Sequence, residues 1–187
     1  QTTTAQRIWR YTPVGNTGPS PTLLAANIPT RGANHNGGGI GFGADGLLYA
    51  VVGDNAPADR MQAQSQNTAD ERGKVLRINP DGTIPADNPF GSRIWSYGHR
   101  NPFRMVVQPG TGKLFVSENG PSEDDEINVI VRGGNYGWPL DTGANTDPAF
   151  VDPVYAFFSP PAVVDLVFYQ GTAMPFAGEL FFVEHKN

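Results

Sequence analysis

The sequence contains no cysteine in its 187 residues. That absence excludes disulfides, thiol nucleophiles and cysteine-ligated metal, and leaves the compartment open. Long apolar runs are missing as well. The longest, Val163–Tyr169, is interrupted by Asp165 and falls far short of a membrane span. Positive charge is scarce: 13 Lys and Arg against 18 Asp and Glu leave a net charge of −5. With no basic run or patch, nucleic acid is not an expected partner. No window carries sustained helical periodicity with caps. The nearest candidate, Asp59–Arg72, is polar on all sides and reads as a loop holding a helical turn. There is no G-x-S-x-G elbow, Walker loop or H-E-x-x-H. No secretory leader is visible and the chain opens on Gln1, so it is expected to be a processed or excised piece whose missing leader says nothing about export.

Repetition fills the space these absences leave. Gly46-Leu47-Leu48-Tyr49 recurs as Gly112-Lys113-Leu114-Phe115 and again as Gly178-Glu179-Leu180-Phe181, at equal steps (112 − 46 = 66; 178 − 112 = 66). Arg7-Ile8-Trp9-Arg10-Tyr11 matches Lys74-Val75-Leu76-Arg77-Ile78 at an offset of 67 (74 − 7). Short alternating apolar runs between Gly and Pro turns, repeated at a fixed period, predict a radial or stacked β architecture. Within one repeat the spacing predicts strands at Gly39–Phe42, Leu47–Val52 and Lys74–Ile78, the last closed by the turn Asn79-Pro80-Asp81-Gly82. Arg93–Tyr97 is a fourth strand or a crossover. Phe103–Val107, Leu114–Ser117 and Ile127–Val131 continue the series, Asp141–Pro153 reads as loop, and Asp165–Tyr169 with Glu179–Val183 opens a third repeat. About 2.8 repeats are present (187/66). A closed propeller needs four to eight blades, so a longer parent, or a second copy completing the ring, is expected.

Two polar pairs occupy matching places. Asn34-His35 lies twelve and eleven residues before Gly46, and Arg100-Asn101 lies twelve and eleven before Gly112. In a ring, equivalent positions converge on one end of the axis, which would bring a base, a cation and two amides to one pocket. Ordinary loop polars satisfying turn backbones are the alternative. The segment Glu118-Asn119-Gly120-Pro121-Ser122-Glu123-Asp124-Asp125-Glu126 places acids beside a Gly-Pro bend. It offers the carboxylates and turn carbonyls a hard cation wants, though without EF-hand spacing; a solvated acidic loop is the alternative. The G-x-G-x-x-G within Gly37–Gly43 is followed by a strand, not a helix, and is no dinucleotide site. His99 reads as structural, and Trp95 and Trp138 as core aromatics.

Taken together these stretches resemble the soluble pyrroloquinoline-quinone (PQQ)-dependent sugar dehydrogenases, the glucose/sorbosone and aldose sugar dehydrogenase family. The blocks that carry the resemblance are Asn34-His35-Asn36-Gly37-Gly38, Gly53-Asp54, Gly73–Gly82, Gly98-His99-Arg100-Asn101-Pro102, and Asp124-Asp125-Glu126-Ile127-Asn128 through Gly133-Gly134-Asn135-Tyr136-Gly137-Trp138-Pro139. The resemblance implies an all-β fold, part of a six-bladed β-propeller with about three four-stranded antiparallel blades visible, as one partial domain over 1–187. It implies PQQ and Ca²⁺ as cofactors, an aldose as substrate, a separate electron acceptor, and a periplasmic or secreted location. His35 looks like the catalytic base and Arg100 its charge-stabilising partner. Asn34, Arg100 and Asn101 look like cofactor contacts. Gln170, after Tyr169, stands where some members carry a Lys on the cofactor. The carbonyls of Gly120 and Pro121 look like ligands of the cofactor's Ca²⁺, and Glu126 with the carbonyl of Tyr136 like ligands of a second one. The implied reaction oxidises the anomeric C–OH of an aldose to a lactone. Relatives on the same propeller that bind a protein or glycan without chemistry are the rival class, and an inactive fragment of the enzyme is a third possibility.

Overall fold

Strands that are apolar on both faces must be sandwiched between neighbouring layers, and this chain is built on such strands. The computed structural model describes residues 5–18, 20–30, 33–56, 63–144 and 147–185. Strands β1 (Ala5–Arg10) and β2 (Thr22–Pro29) pair as a two-stranded sheet. β3 (Ile40–Phe42), β4 (Leu48–Val52), β5 (Lys74–Ile78) and β6 (Ile94–Tyr97) form an antiparallel four-stranded sheet in chain order. β7 (Pro102–Val107), β8 (Leu114–Glu118), β9 (Asp125–Ile130) and β10 (Tyr155–Phe157) form a second one. β11 (Val163–Phe168) pairs with β12 (Leu180–Glu184). The chain is thus all-β and forms part of a β-propeller. By the repeat, β1–β2 corresponds to the outer pair of a blade and β11–β12 to an inner pair.

The packing follows from strand alternation. All five residues of β4 are buried. Leu48, Ala50 and Val52 join Ile8, Ala25, Ile28, Leu76, Ile78 and Ile94 in the core between the first two sheets. Tyr49 and Val51 point the other way, into a core with Val75, Met105, Leu114, Val116 and Ile130. A smaller cluster of Ile127, Val163 and Leu166 joins the second four-stranded sheet to β11–β12. β12 is open to solvent along most of its length, with Phe181, Phe182 and Val183 exposed.

The structure decides one alternative the sequence left open, adds one strand it did not assign, and agrees with it on a helical turn. Arg93–Tyr97 is a blade strand and not a crossover, because Ile94–Tyr97 pairs with β5. The fourth strand of the next blade, β10, falls in a stretch with no assigned element. It pairs with the start of β9 through Tyr155↔Ile127 and Phe157↔Asp125. The polar loop after β4 holds a 3-10 turn at Ala63–Gln66; residues 57–62 of that loop lie outside the described residues.

The same loop is tied down by a buried cation. Lys74 is wholly buried in β5, and its ammonium donates to the carbonyls of Gln64 (2.9 Å), Ser65 (2.9 Å) and Arg72 (2.5 Å). Burial pushes its ammonium down to about 7, while three carbonyl acceptors favour the charged form. Ser65 passes the anchorage on, donating from Oγ to the His99 carbonyl at 2.7 Å. Lys74→Met is expected to lower the unfolding free energy by about 1.5–3 kcal/mol, the cost of lost charge-assisted bonds to buried acceptors, in urea melts. Limited proteolysis should show cleavage within 63–72 before global unfolding.

Candidate active site

The N-terminal ends of β3 and β7, the C-terminal ends of β4 and β8, and the loops joined to them meet at one end of the sheets. The backbone ties them together: Asp54 N–H donates to the Arg100 carbonyl (2.7 Å), Asn55 N–H to that of His35 (3.2 Å), and Asn119 N–H to that of Asn101 (3.1 Å). The approach is so close that a Cβ on Gly53 would lie 2.1 Å from the His35 carbonyl oxygen, so only glycine fits there. His35 itself sits at φ 50°, a conformation rare for a residue with a side chain.

That backbone aims the imidazole inward. His35 Nδ1 lies 2.8 Å from Asp54 Oδ1. An ionised carboxylate only accepts hydrogen bonds, so Nδ1 carries the proton and Nε2 the lone pair. Asp54 is fully buried. Its Oδ1 also accepts from Ala56 N–H (2.9 Å) and its Oδ2 from the Trp138 indole N–H (2.8 Å). His35 lines a pocket of about 420 Å³ with Asn34, Asn36, Gly37, Asn101 and Phe103. The imidazole can therefore accept a proton at a fixed atom beside three amide side chains.

The second histidine is different. His99 is wholly buried and commits both nitrogens, Nδ1 to Glu118 Oε2 (2.8 Å) and Nε2 to Ser96 Oγ (2.9 Å). Its ring stacks on Tyr136 with centroids 4.5 Å apart. Glu118 Oε1 in turn accepts the Arg100 backbone N–H. His99 is part of the frame that holds the 100–101 backbone.

The Arg100 guanidinium lies away from the His35 pocket. Its Nη1 donates to the carbonyls of Asn119 (2.8 Å) and Gly120 (2.6 Å), and its Cζ stands 5.3 Å from the Trp138 ring centroid. It borders a separate cavity of about 10 Å³, room for roughly one water, lined also by Glu118, Asn119, Asp124, Glu126, Tyr136 and Trp138. Strand alternation splits the acidic run here. Asp125 turns to the frame, accepting from Gly120 N–H (2.8 Å) and Ala162 N–H (2.6 Å), while Asp124 and Glu126 face the cavity. Glu126 accepts from Asn128 Nδ2 (2.9 Å) and Gly143 N–H (2.7 Å). Burial first, then the Glu118 and Asp124 charges, push its carboxyl up to about 7.

A cation would suit this cavity. The Asn119 and Gly120 carbonyls already gather a guanidinium, and Asn119 Oδ1 is buried with no hydrogen-bond partner. Among the described residues no three His, Asp or Glu side chains converge to hold a metal. A hard ion here would lean on carbonyls as well as on carboxylates, which Ca²⁺ accepts. Pro121 is exposed beside Gly120, and Tyr136 is buried, its hydroxyl bonded to Val129 O at 2.6 Å.

The sequence matches one family over almost its whole length: the glucose/sorbosone dehydrogenase model aligns with residues 4–184. The chain belongs to that family. It is 36% identical over 179 residues to quinoprotein glucose dehydrogenase B of Acinetobacter calcoaceticus, covering 86% of this chain and 37% of that protein. It is 35% identical over 161 residues to the aldose sugar dehydrogenase YliI of Escherichia coli K12, covering 76% and 42%. Among solved structures, a putative glucose dehydrogenase from Thermus thermophilus superposes with a TM-score of 0.83 at 36% identity, covering 96% of this chain and 54% of that one. The PQQ-bound aldose sugar dehydrogenase of Streptomyces coelicolor does so with 0.78 at 32% identity, covering 95% and 58%. The chain spans about two-fifths of the curated relatives' length.

Of the predicted residues, Asn34, His35 and Asn101 share one pocket, and Arg100, Gly120, Glu126 and Tyr136 share the adjoining cavity. Gln170 joins neither; it is exposed in the turn between β11 and β12. The start of β11 is the site-facing end, since Ala162 bonds Asp125, so Gln170 stands a strand's length away. Asp54 and Trp138 are hydrogen-bond partners at this site that sequence reasoning does not single out. Gly53-Asp54 stands inside a matching block, but nothing local links it to residue 138.

In cation-free buffer, folded Glu126 holds its proton up to about pH 7, whereas the unfolded chain releases it near 4.5. The folded state therefore binds more protons across this window, and thermal stability is expected to fall as pH rises from about 4.5 through 7. Glu126→Gln should flatten that slope, as read by circular dichroism melts between pH 5 and 8.

Proposed function

We propose that this chain is the site-bearing part of a PQQ-dependent aldose dehydrogenase that oxidises the anomeric C–OH of a sugar to a lactone. The observation that carries it is His35: one nitrogen locked on a buried carboxylate, the ring at a pocket lined by amides. When bound, the quinone supplies a two-electron acceptor and Ca²⁺ a Lewis acid. His35 Nε2 takes the hydroxyl proton while the C1–H leaves with its electron pair as hydride, and C1=O of the lactone forms. Asp54 stabilises the imidazolium that results. Asn34 and Asn101 are placed to orient polar groups in the pocket. Arg100 is a fixed cation for charge that builds up nearby. The carbonyls of Gly120 and Pro121 would hold the cofactor's Ca²⁺, and Glu126 with the Tyr136 carbonyl a second one.

Family membership supports sugar oxidation in general. The partial domain, the six-bladed ring and an electron acceptor that reoxidises the cofactor belong to this proposal, as does a periplasmic or secreted location. Among the described residues, no helix is long and apolar enough to cross a membrane. Further blades, from the same polypeptide or a second copy, would cover the exposed face of β12.

Apo protein mixed with PQQ, Ca²⁺ and an aldose is expected to show sugar-dependent formation of the reduced-quinone absorbance. Binding without reduction would select the non-catalytic module or the inactive fragment instead. In a full-length parent, His35→Ala should lower kcat by roughly 10²–10⁴; a loss under about tenfold would remove the base assignment.

A further inference from the structure

Trp138 touches both halves of the site. It is 7% exposed. Its indole N–H donates to Asp54 Oδ2 at 2.8 Å, the carboxylate whose other oxygen holds His35 Nδ1. Its ring carries the Arg100 guanidinium at 5.3 Å. Its own backbone is pinned at both ends, N–H to the Gly98 carbonyl (2.9 Å) and carbonyl to Gln66 Nε2 (2.7 Å).

We propose that Trp138 is a positioning residue that fixes the catalytic base and the cation relative to each other. Core packing needs only the indole ring. The N–H on Asp54 does more: without it Oδ2 is a buried acceptor with no donor, which is costly. The carboxylate is then held through Oδ1 alone, by Ala56 N–H and His35 Nδ1, and loses the contact that fixes its plane. The same ring face gives Arg100 a platform beside the Asn119 and Gly120 carbonyls. One rigid side chain thus determines which nitrogen of His35 carries the proton and where the guanidinium rests. The catalytic consequence depends on His35 being the base; the structural coupling does not.

The test separates the two. In ¹⁵N spectra of the imidazoles of this chain, without cofactor, wild-type His35 should be a single Nδ1–H tautomer. Trp138→Phe keeps the ring and loses the donor, and is expected to give a tautomer mixture. A second measurement needs no variant at position 138. The Trp138 indole N–H resonance, assigned against Trp9→Phe and Trp95→Phe, should move when His35 titrates and stay still in His35→Ala. The charges that bear on this set are His35, Asp54, Arg100 on the ring and Arg72, which Asp54 feels at longer range. In a cofactor-loaded full-length parent, Trp138→Phe should lower kcat about 10–100-fold with KM for the sugar nearly unchanged. An unaltered His35 tautomer in Trp138→Phe, or an indole resonance blind to His35, would overturn the proposal. Coupling without sugar oxidation would leave it standing and remove the dehydrogenase function alone.

Discussion

One buried carboxylate holds this end of the molecule together. Asp54 takes N–H donors from His35, Ala56 and Trp138, and its own N–H reaches the Arg100 carbonyl. Those partners come from the loop before β3, the loop after β4, the segment after β9 and the lead into β7. An ionised carboxylate without water is tolerable only when its lone pairs are filled, and each donor that fills one also pins a piece of backbone. The cost of burying the charge and the geometry of the His35 imidazole are therefore one problem with one solution. The same logic recurs at Glu118, which takes His99 and the Arg100 backbone, and at Asp125, which takes Gly120 and Ala162. Three acids at strand ends act as knots between neighbouring sheets.

The strands were legible because burial on both faces leaves a strong trace. β4, β5 and β8 are runs that no water-facing strand would carry, and they repeat beside the turn glycines Gly46 and Gly112. β10 left no such trace. It is three residues at a sheet edge, with Tyr155 exposed, and its pairing rests on backbone bonds to β9. The repeat also located the third pair of strands, β11 and β12, while the place given to Gln170 came from the resemblance alone. The step of 66 locates the turn glycine, not the start of the inner strand. Residues 169–179 separate β11 from β12, where residues 43–47 and 108–113 do the same work in the earlier blades. Gln170 therefore lies in a long hairpin loop, and the residues equivalent to Asn34-His35 precede Val163.

The acidic run shows how far composition reaches. Its richness in carboxylates marks a site near the Gly-Pro bend, but only the strand's pleat decides which acids share a cavity. Asp125 leaves the group and Glu118, four residues before Ser122, joins it across the β8–β9 ladder, where Glu118 and Glu126 are directly opposed. Trp138 and Asp54 are separated by 84 residues, and no local pattern announces their bond. An aromatic in a turn cluster reads as core because most are, and its indole N–H becomes informative only when the acceptor is seen.

The two pockets are built on opposite electrostatic terms. Around His35 the surroundings are amides and a single carboxylate already filled by donors, a place where a proton can be received and held. In the adjoining cavity, around Glu126, four acidic residues (Glu118, Asp124, Glu126 and Asp141) and the Asn119–Gly120 segment line a volume of about one water, and positive charge comes from Arg100 at the rim. Like charges opposed across a ladder are unfavourable; burial first, and the Glu118 charge second, push the Glu126 carboxyl up to about 7. The two carbonyls here are taken by the Arg100 guanidinium, whose Nη1 donates to Asn119 O and Gly120 O. If a hard ion occupies the cavity as proposed, it would draw on the same Gly120 carbonyl, and guanidinium and ion would then compete for one set of oxygens.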